Sequence, residues 1–323
     1  MRLPRRKVLH LAAGAVALPA VSRGALALDY PSRPVKILVG FPAASATDVV
    51  ARLIAHSLSE RIGQQFIVEN RPGAGSNIAA ETVVHAAPDG YTLLAMTITN
   101  TVNATLYREL NFDITRDIAP IVPTFKSPLV MVVSPVLGIK TVTELIAYAK
   151  AHPGKINYAS FGNGSAPHIN GELFKMKAGI DMVHVPYRGS PVPDLLAGQV
   201  QVLIAPMPVV IGQIRAGKLP ALAVTSAARS SALPEVPPLA DFVPGYDTTI
   251  WHGIAAPRNT PVDVVSELNK EINAVLADPA IKVRFAENGG VPIGGSPADL
   301  AKLISSEKQK WAAVVQAANI TPE

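Results

Sequence analysis

Short apolar runs alternate with segments of helical periodicity along this 323-residue chain, and this alternation restricts the fold more than any other feature. In the first third of the chain the predicted order is strand 35–41, helix 48–62, strand 66–68, helix 76–87 with Ser76 as its cap, and strand 91–97. Strands that alternate with helices in this way predict a parallel sheet with helices on both faces. The fold class is therefore α/β.

The same alternation returns further along the chain. Predicted strands lie at 156–160, 182–186, 200–205 and 221–225, with helices at 144–152 (opened by a Thr141–Glu144 capping box), 167–178, 194–197 and 209–216. A Pro-rich connector, a strand at 249–255 and two helices complete the chain. Each of these helices has a predicted cap, Thr260 or Ser296, followed by a proline at the first helical position, Pro261 or Pro297. We expect two lobes with a ligand cleft between them, one formed by 28–128 plus 248–323 and the other by 129–247.

The first 27 residues have the features of an export signal. Basic residues (Arg2, Arg5, Arg6, Lys7) precede an apolar run that is too short to span a membrane, and Ala25-Leu26-Ala27 is a typical cleavage site. Both the Sec route and the twin-arginine route are compatible with "PRRKVL". We expect cleavage after Ala27 and a periplasmic mature protein.

Composition excludes several classes of function. Five of the 29 basic residues lie in the first 27, which leaves 24 basic against 24 acidic residues and no net field to attract nucleic acid. The chain has no cysteine, so disulfides, thiolate metal sites and a cysteine nucleophile are excluded. The six histidines after residue 27 lack the spacing of metal ligands, and no phosphate loop or dinucleotide motif is present. We expect neither a metal nor a cofactor.

The stretch "GFPAASATDVVARL" (40–53) turns from a strand into a helix within a few residues. Unpaired N–H groups and the helix dipole favour an anion at such a turn, and the small residues Ala44 and Ala46 leave its backbone accessible. Ser45 and Thr47 add hydroxyl donors. For Asp48 a capping role is preferred, because a carboxylate that faces an anion is repulsive.

Three further strand ends carry polar residues of the same kind. The stretch "YASFGNGSAPH" (158–168) has two glycines before a helix and is compatible with an anion-binding nest. His168, Tyr187, Arg188 and the stretch "TITN" (97–100) could add ligand contacts, although capping, turn formation or solvation would explain them equally. No nucleophile–base set and no carboxylate pair stands out, so no catalytic residue is assigned.

In combination, "ENRPGAG", "YASFGNGSAPH", "VPYRG" and "WHGIAAPRNTP" resemble the Bug family, the solute-binding proteins of tripartite tricarboxylate transporters. The resemblance covers essentially the whole chain after the export signal. It implies a two-lobed periplasmic-binding-protein fold of the type II-like, Venus flytrap kind. It also implies a small carboxylate ligand (a dicarboxylate, tricarboxylate, acidic amino acid or aromatic acid), a membrane permease as partner, and a monomer.

Carried onto this sequence, the resemblance gives a set of expected ligand-binding residues on four strand-end loops. These are Phe41, Ala44, Ser45, Ala46, Thr47 and Asp48; Thr97, Thr99 and Asn100; Ser160, Gly162, Gly164, Ser165 and His168; and Tyr187 and Gly189. Two readings compete with the transport receptor: a ligand sensor that signals to a membrane kinase, and an exported hydrolase.

Three departures from the family pattern are expected to alter specificity and not the fold. Ala44 and Ser45 replace glycines, and their Cβ atoms disfavour positive φ and predict a smaller or differently oriented carboxylate. The segment between Gly189 and Asp194 is shorter than usual, and the stretch "LADFVPGYD" lacks a glutamate.

Overall fold

The computed structural model describes residues 30–107 and 109–321. The predicted export signal, 1–27, lies outside the described residues. The strands form two sheets, of six and five strands. The first sheet contains β1 (Val35–Val39), β2 (Phe66–Asn70), β3 (Thr92–Thr97), β4 (Ile118–Ser127), β10 (Ile250–Pro257) and β11 (Val291–Pro292). The second contains β5 (Leu129–Val133), β6 (Asn157–Ser160), β7 (Val183–Pro186), β8 (Val202–Pro206) and β9 (Ala221–Val224).

The first sheet has the order β11-β4-β10-β3-β1-β2 and is mixed. β1 pairs in parallel with β2 and β3, as the alternation predicts. β10 lies between β3 and β4 and runs antiparallel to both, with His252 opposite Thr97. A strand from late in the chain therefore lies next to the carboxyl end of β3.

Strand β4 was not predicted, and it contains Pro120 and Pro123, a residue type that is rare within strands. In the structure Pro123 lies opposite Gly253 of β10 and Pro120 lies opposite Ala255, in each case beside a shift in the strand register. A proline is tolerated at such bulges because the regular hydrogen-bond ladder is interrupted there.

The second sheet has the order β7-β6-β8-β5-β9. β6 is parallel to β7 and β8, whereas β5 is antiparallel to β8 and β9. The crossovers between the two sheets run side by side. Leu129 N–H donates to Oγ1 of Thr225, and that hydroxyl donates to the carbonyl of Thr248.

Ten α-helices are present in the described residues: α1 (Ala46–Ile62), α2 (Asn77–Val84), α3 (Ile98–Leu106), α4 (Val142–Ala151), α5 (Ala166–Ala178), α6 (Val192–Ala197), α7 (Met207–Arg215), α8 (Val262–Ala277), α9 (Pro279–Glu287) and α10 (Pro297–Ala317). Helices α3 and α9 were not predicted. Along this part of the chain, no helix is both long and apolar enough to cross a bilayer.

The predicted helix caps differ in outcome. Ser296 forms the expected cap, in a box with Asp299. Thr141 accepts from Glu144 N–H, but the Glu144 carboxylate accepts from Lys140 N–H, so only half of that box forms. The predictions for two other residues were wrong: Ser76 is left-handed with no capping bond, and Thr260 donates to the carbonyl of Pro257.

One buried apolar cluster runs through both sheets. It includes Met96 of the first sheet, Met131 and Tyr158 of the second, and Trp311 of α10. Helix α10 packs against α3 and β4 on one side and against α5 on the other. The two sheets are therefore joined by a shared core behind the cleft as well as by the crossovers.

Candidate functional site

Four helices begin at one cavity between the two sheets. The cavity spans about 430 Å³ of space between protein atoms, part of it open to solvent, and is lined by the first residues of α1, α3, α5 and α7. Phe41, Phe161, Ile250 and His252 complete much of its wall. We call it the inner cavity. None of the described residues that line it is acidic or carries a permanent positive charge, so the electrostatic potential that they create comes mainly from helix N-termini.

The first turn of α1 presents free donors to the inner cavity. Oγ of Ser45 accepts from Asp48 N–H, which caps the helix. Within the described chain the N–H groups of Ala46 and Thr47 make no hydrogen bond, and both residues line the cavity. Unpaired first-turn N–H groups together with the dipole suit an anion.

Asp48 stabilises this turn and lies outside the cavity lining. Its carboxylate accepts from Ala44 N–H, from Nε of Arg52 and from Nδ2 of Asn70. Burial raises the pKa of Asp48, but the hydrogen bonds from Arg52, Asn70 and Ala44 outweigh burial and hold the pKa below its usual value. The carboxylate is thus charged and fully occupied within the protein.

Ala44 adopts a left-handed conformation, with φ of 62°, although its Cβ disfavours it. Its N–H donates to the Asp48 carboxylate at 2.9 Å, and this bond helps to hold the turn in place. The side chain is exposed and does not line the inner cavity.

Helix α3 begins in the "TITN" stretch with a complete capping box. Thr97 Oγ1 accepts from Thr99 N–H, and Asn100 Oδ1 accepts from Thr97 N–H. Asn100 Nδ2 donates to Ser76 Oγ, so both ends of that amide are used within the protein. Thr97 and Thr99 line the inner cavity, whereas Asn100 lies behind it.

The loop after β6 is ordered by its own side chains. The Ser160 hydroxyl bridges the N–H and C=O of Gly162 and shares a 2.6 Å hydrogen bond with Nε2 of His184. Ser165 Oγ donates to the carbonyl of Gly162 at 2.6 Å. Ser165 faces the inner cavity as the N-cap of α5.

Two stacked histidines lie beneath this loop. The rings of His168 and His184 are parallel, with centroids 3.7 Å apart. His168 Nδ1 accepts from Gly164 N–H. Burial, with the Lys175 charge, lowers the pKa of His168 to about 4, and burial, with His168 itself, lowers the pKa of His184 to about 3. Both rings are neutral near pH 7 and support the loop.

His252 is a cavity residue that the site prediction missed. It is buried on β10, lines the inner cavity, and its Nε2 shares a 3.1 Å hydrogen bond with Thr47 Oγ1. Nδ1 has no partner among the described residues, and burial lowers the pKa of His252 to about 3. A strand was predicted at 249–255, but its antiparallel pairing with β3 was not, and this pairing brings His252 to the cleft.

A second, wider space of about 1460 Å³ lies on the other side of Phe41 and Phe161, which line both cavities. We call it the outer cavity. Gly162, Tyr187 and Arg188 line it on the second-sheet side, and the "PGAGS" loop (72–76) lines it on the other. Tyr187 donates to the Asp194 carboxylate at 2.7 Å, which closes the short segment after Gly189.

The sixteen residues of the predicted site therefore fall into three groups. Seven line the inner cavity: Phe41, Ser45, Ala46, Thr47, Thr97, Thr99 and Ser165. Phe41 also lines the outer cavity, together with Gly162 and Tyr187. Outside both linings are Ala44, Asp48, Asn100, Ser160, Gly164, His168 and Gly189. No cluster of three or more metal-type side chains occurs in the described ranges.

Comparison with known proteins gives consistent results. The TctC family model, described as the tripartite tricarboxylate transporter family receptor, matches residues 50–320. BugT of Bordetella pertussis is 36% identical over 292 residues, which are 89% of this chain and 90% of BugT. A protein from a tcbD–tcbE intergenic region of Pseudomonas sp. strain P51 is 38% identical over 312 residues, 95% of this chain and 92% of that protein.

Solved structures share the fold. Rpa4515 of R. palustris, solved with adipate, is 36% identical with a TM-score of 0.88, over 91% of this chain and 100% of that chain. MatC of Rhodopseudomonas palustris, with bound malate, is 29% identical with a TM-score of 0.83, over 88% and 100%. The periplasmic binding protein BugD is 32% identical with a TM-score of 0.86, over 91% and 100%. The two-lobed binding-protein fold and the Bug resemblance are confirmed: the chain belongs to the TctC family of solute-binding proteins, the receptors of tripartite tricarboxylate transporters.

Proposed function

We propose that this protein binds a small carboxylate in the inner cavity by closure of two lobes and delivers it to the permease of a tripartite tricarboxylate transporter. The lobes are 28–128 plus 248–323 and 129–247. As a further part of the proposal, the protein is an exported, periplasmic monomer, and its signal is removed after Ala27.

The observation that carries the proposal is the meeting of four helix N-termini at a cavity without acidic residues. Helices α1 and α3 follow strands of the first sheet, and α5 and α7 follow strands of the second. An anion placed between them interacts with helix dipoles from both sides and with the free N–H groups of α1. Ligand contacts from both sides favour a closed state over an open one.

The comparisons support a carboxylate as the anion. Rpa4515 was solved with adipate and MatC with malate, and both share this fold at 36% and 29% identity. In this chain the cavity walls also include Phe41, Phe161 and Ile250, which suit the carbon skeleton of an organic acid better than an inorganic anion.

The geometry argues against a hydrolase. Thr47 and His252 form a hydroxyl–imidazole pair in the cavity, but a pKa near 3 makes His252 a weak base at neutral pH. Ser160 is hydrogen-bonded to His184 but is fully buried, so a substrate cannot reach its hydroxyl. We therefore propose binding without turnover.

A thermal-shift screen of the purified protein against mono-, di- and tricarboxylates, acidic amino acids and aromatic acids tests the proposal. A carboxylate that binds the folded state raises the unfolding midpoint in a dose-dependent way, and chromatography should recover it unchanged. The proposal fails if no carboxylate moves the midpoint, or if the bound acid is consumed.

A matched pair of variants locates the site. Thr99→Val removes a hydroxyl from the inner cavity, whereas Thr82→Val removes one from the exposed part of α2. We expect only Thr99→Val to weaken binding of the acid found in the screen. Equal affinities for both variants would remove Thr99 from the site.

A further inference from the structure

The outer cavity has a charge pattern that the inner cavity lacks. Among the described residues that line it, Arg188 alone is charged and none is acidic. Arg188 is exposed and forms no ion pair with any described residue. An unpaired guanidinium at the mouth of a cleft can bind a carboxylate with two parallel hydrogen bonds.

Phe41 and Phe161 separate this cation from the helix N-termini. Both residues line the inner cavity and the outer cavity, so they form the partition between the two spaces. A ligand that reaches from one space to the other must pass these apolar walls. Methylene groups gain from contact with aromatic rings, whereas hydroxyl or carboxylate groups at this level would lose water without a replacement partner.

The helix N-termini of the inner cavity come first, the apolar partition of Phe41 and Phe161 comes next, and the Arg188 guanidinium of the outer cavity comes last. We infer that the preferred ligand is a linear α,ω-dicarboxylate, with one carboxylate in the inner cavity, its methylene chain between Phe41 and Phe161, and its second carboxylate at Arg188. This inference rests on the proposed carboxylate function and adds a specificity-determining residue. Malonate-like short acids and branched tricarboxylates fit the arrangement less well, because they lack either the reach or the apolar middle.

Adipate and hexanoate are the probes that test this inference. They have the same six-carbon skeleton and differ only in the second carboxylate. Calorimetric titration is carried out with the wild type, with Arg188→Gln and with Arg215→Gln. Arg215 is the matched control, because it is an exposed arginine of the same lobe, at the end of α7 and away from both cavities.

We expect adipate to bind the wild type more tightly than hexanoate. Arg188→Gln should weaken adipate binding about threefold to tenfold, as expected for a partly exposed ion pair, and leave hexanoate unchanged. Arg215→Gln should change neither affinity. Higher salt should reduce the adipate preference of the wild type but not that of Arg188→Gln.

Each contrary outcome has a definite meaning. If the adipate-to-hexanoate ratio is the same in the wild type and Arg188→Gln, the role of Arg188 is wrong while the carboxylate function stands. If neither acid binds but an aromatic or branched carboxylate does, the ligand class inferred here is wrong. If no carboxylate of any kind binds, the proposed function itself fails.

Discussion

At the scale of single residues, Ala44 is the clearest case of a side chain that opposes its backbone. Its φ of 62° lies in the left-handed region, which is costly for any residue with a Cβ. We expect Ala44→Gly to raise the free energy of unfolding by about 0.5–1 kcal/mol. This is the strain energy relieved at the left-handed φ, minus the cost of the extra backbone entropy that glycine loses on folding. Urea unfolding measures this.

A control for Ala44→Gly is available on another helix. Ala312→Gly, in the interior of α10, should destabilise by about 0.5–1 kcal/mol, because that residue has ordinary helical geometry. If Ala44→Gly also destabilises, the strain at this turn is not significant.

Asp48 is a residue whose charge holds the α1 turn together. Asp48→Asn weakens the bonds from Arg52 and Ala44 N–H, so we expect a loss of about 1–3 kcal/mol in unfolding free energy. The folded pKa of Asp48 is lowered, so its contribution is complete above the unfolded pKa near 3.8 and is lost as pH falls through the folded value.

Unfolding at pH 7 and at pH 3 measures this contribution. The difference in unfolding free energy between the wild type and Asp48→Asn should become smaller at the lower pH. The variant Asp181→Asn, at an exposed residue, should have the same unfolding free energy as the wild type at both pH values. A gap that is constant with pH would show that the Asp48 charge contributes nothing.

At the scale of elements, sequence periodicity predicted most strands and helices of both sheets but not all of their pairing. β1 and β3 follow directly from continuous apolar runs that are buried along almost their whole length, and α1 follows from apolar residues at helical spacing. Strand β4 was missed; its two prolines lie beside shifts in its register with β10, and only the assembled sheet shows these shifts.

The candidate site was predictable to the same extent. Strand-end loops followed by helices identified Ser45, Thr47 and Ser165, because their position depends on local sequence alone. His252 and Phe161 reach the inner cavity through packing between distant segments, and no local pattern shows that. Asn100 was expected at the ligand, but its amide completes a cap and a bond to Ser76.

The loop between β6 and α5 depends on one buried hydroxyl. Ser160→Ala removes the bonds to Gly162 and leaves Nε2 of His184 without this partner, so we expect a loss of about 1–3 kcal/mol in stability. Carboxylate affinity should also fall, because the loop that positions Ser165 loosens.

Denaturant unfolding and calorimetric titration together test this role. Ser226→Ala is the control, since Ser226 is a surface hydroxyl bound only to the Ala228 carbonyl in a distant turn. Retention of both stability and affinity in Ser160→Ala would contradict the role given to this loop.

At the scale of the whole molecule, two buried histidines (His168 and His252) and the half-buried His184 make stability depend on pH. Burial is the main cause that lowers the pKa values of His168, His184 and His252 to between about 3 and about 4, against 6.5 in the unfolded chain. Below pH 6.5 the unfolded state therefore binds more protons than the folded state. Stability is complete above pH 6.5 and falls as pH drops towards 3.

We expect the unfolding free energy to fall by roughly 1–4 kcal/mol between pH 7.5 and pH 5.5, since each buried histidine contributes up to about 1.4 kcal/mol per pH unit. His252→Gln should reduce this slope, and substitution of the exposed His56 by Gln should not. A flat profile over this range would show that the three rings titrate alike in both states.

The central claim is that helix N-termini from both sheets select an anion in the inner cavity. The most direct measurement is calorimetric titration with adipate and with its neutral diamide, adipamide, which have the same skeleton. We predict that adipate binds at least about tenfold more tightly, in the wild type and also in Arg188→Gln, because loss of charge weakens the interaction with the helix dipoles and free N–H groups of the inner cavity. Equal affinity for the two compounds would contradict this account of the site.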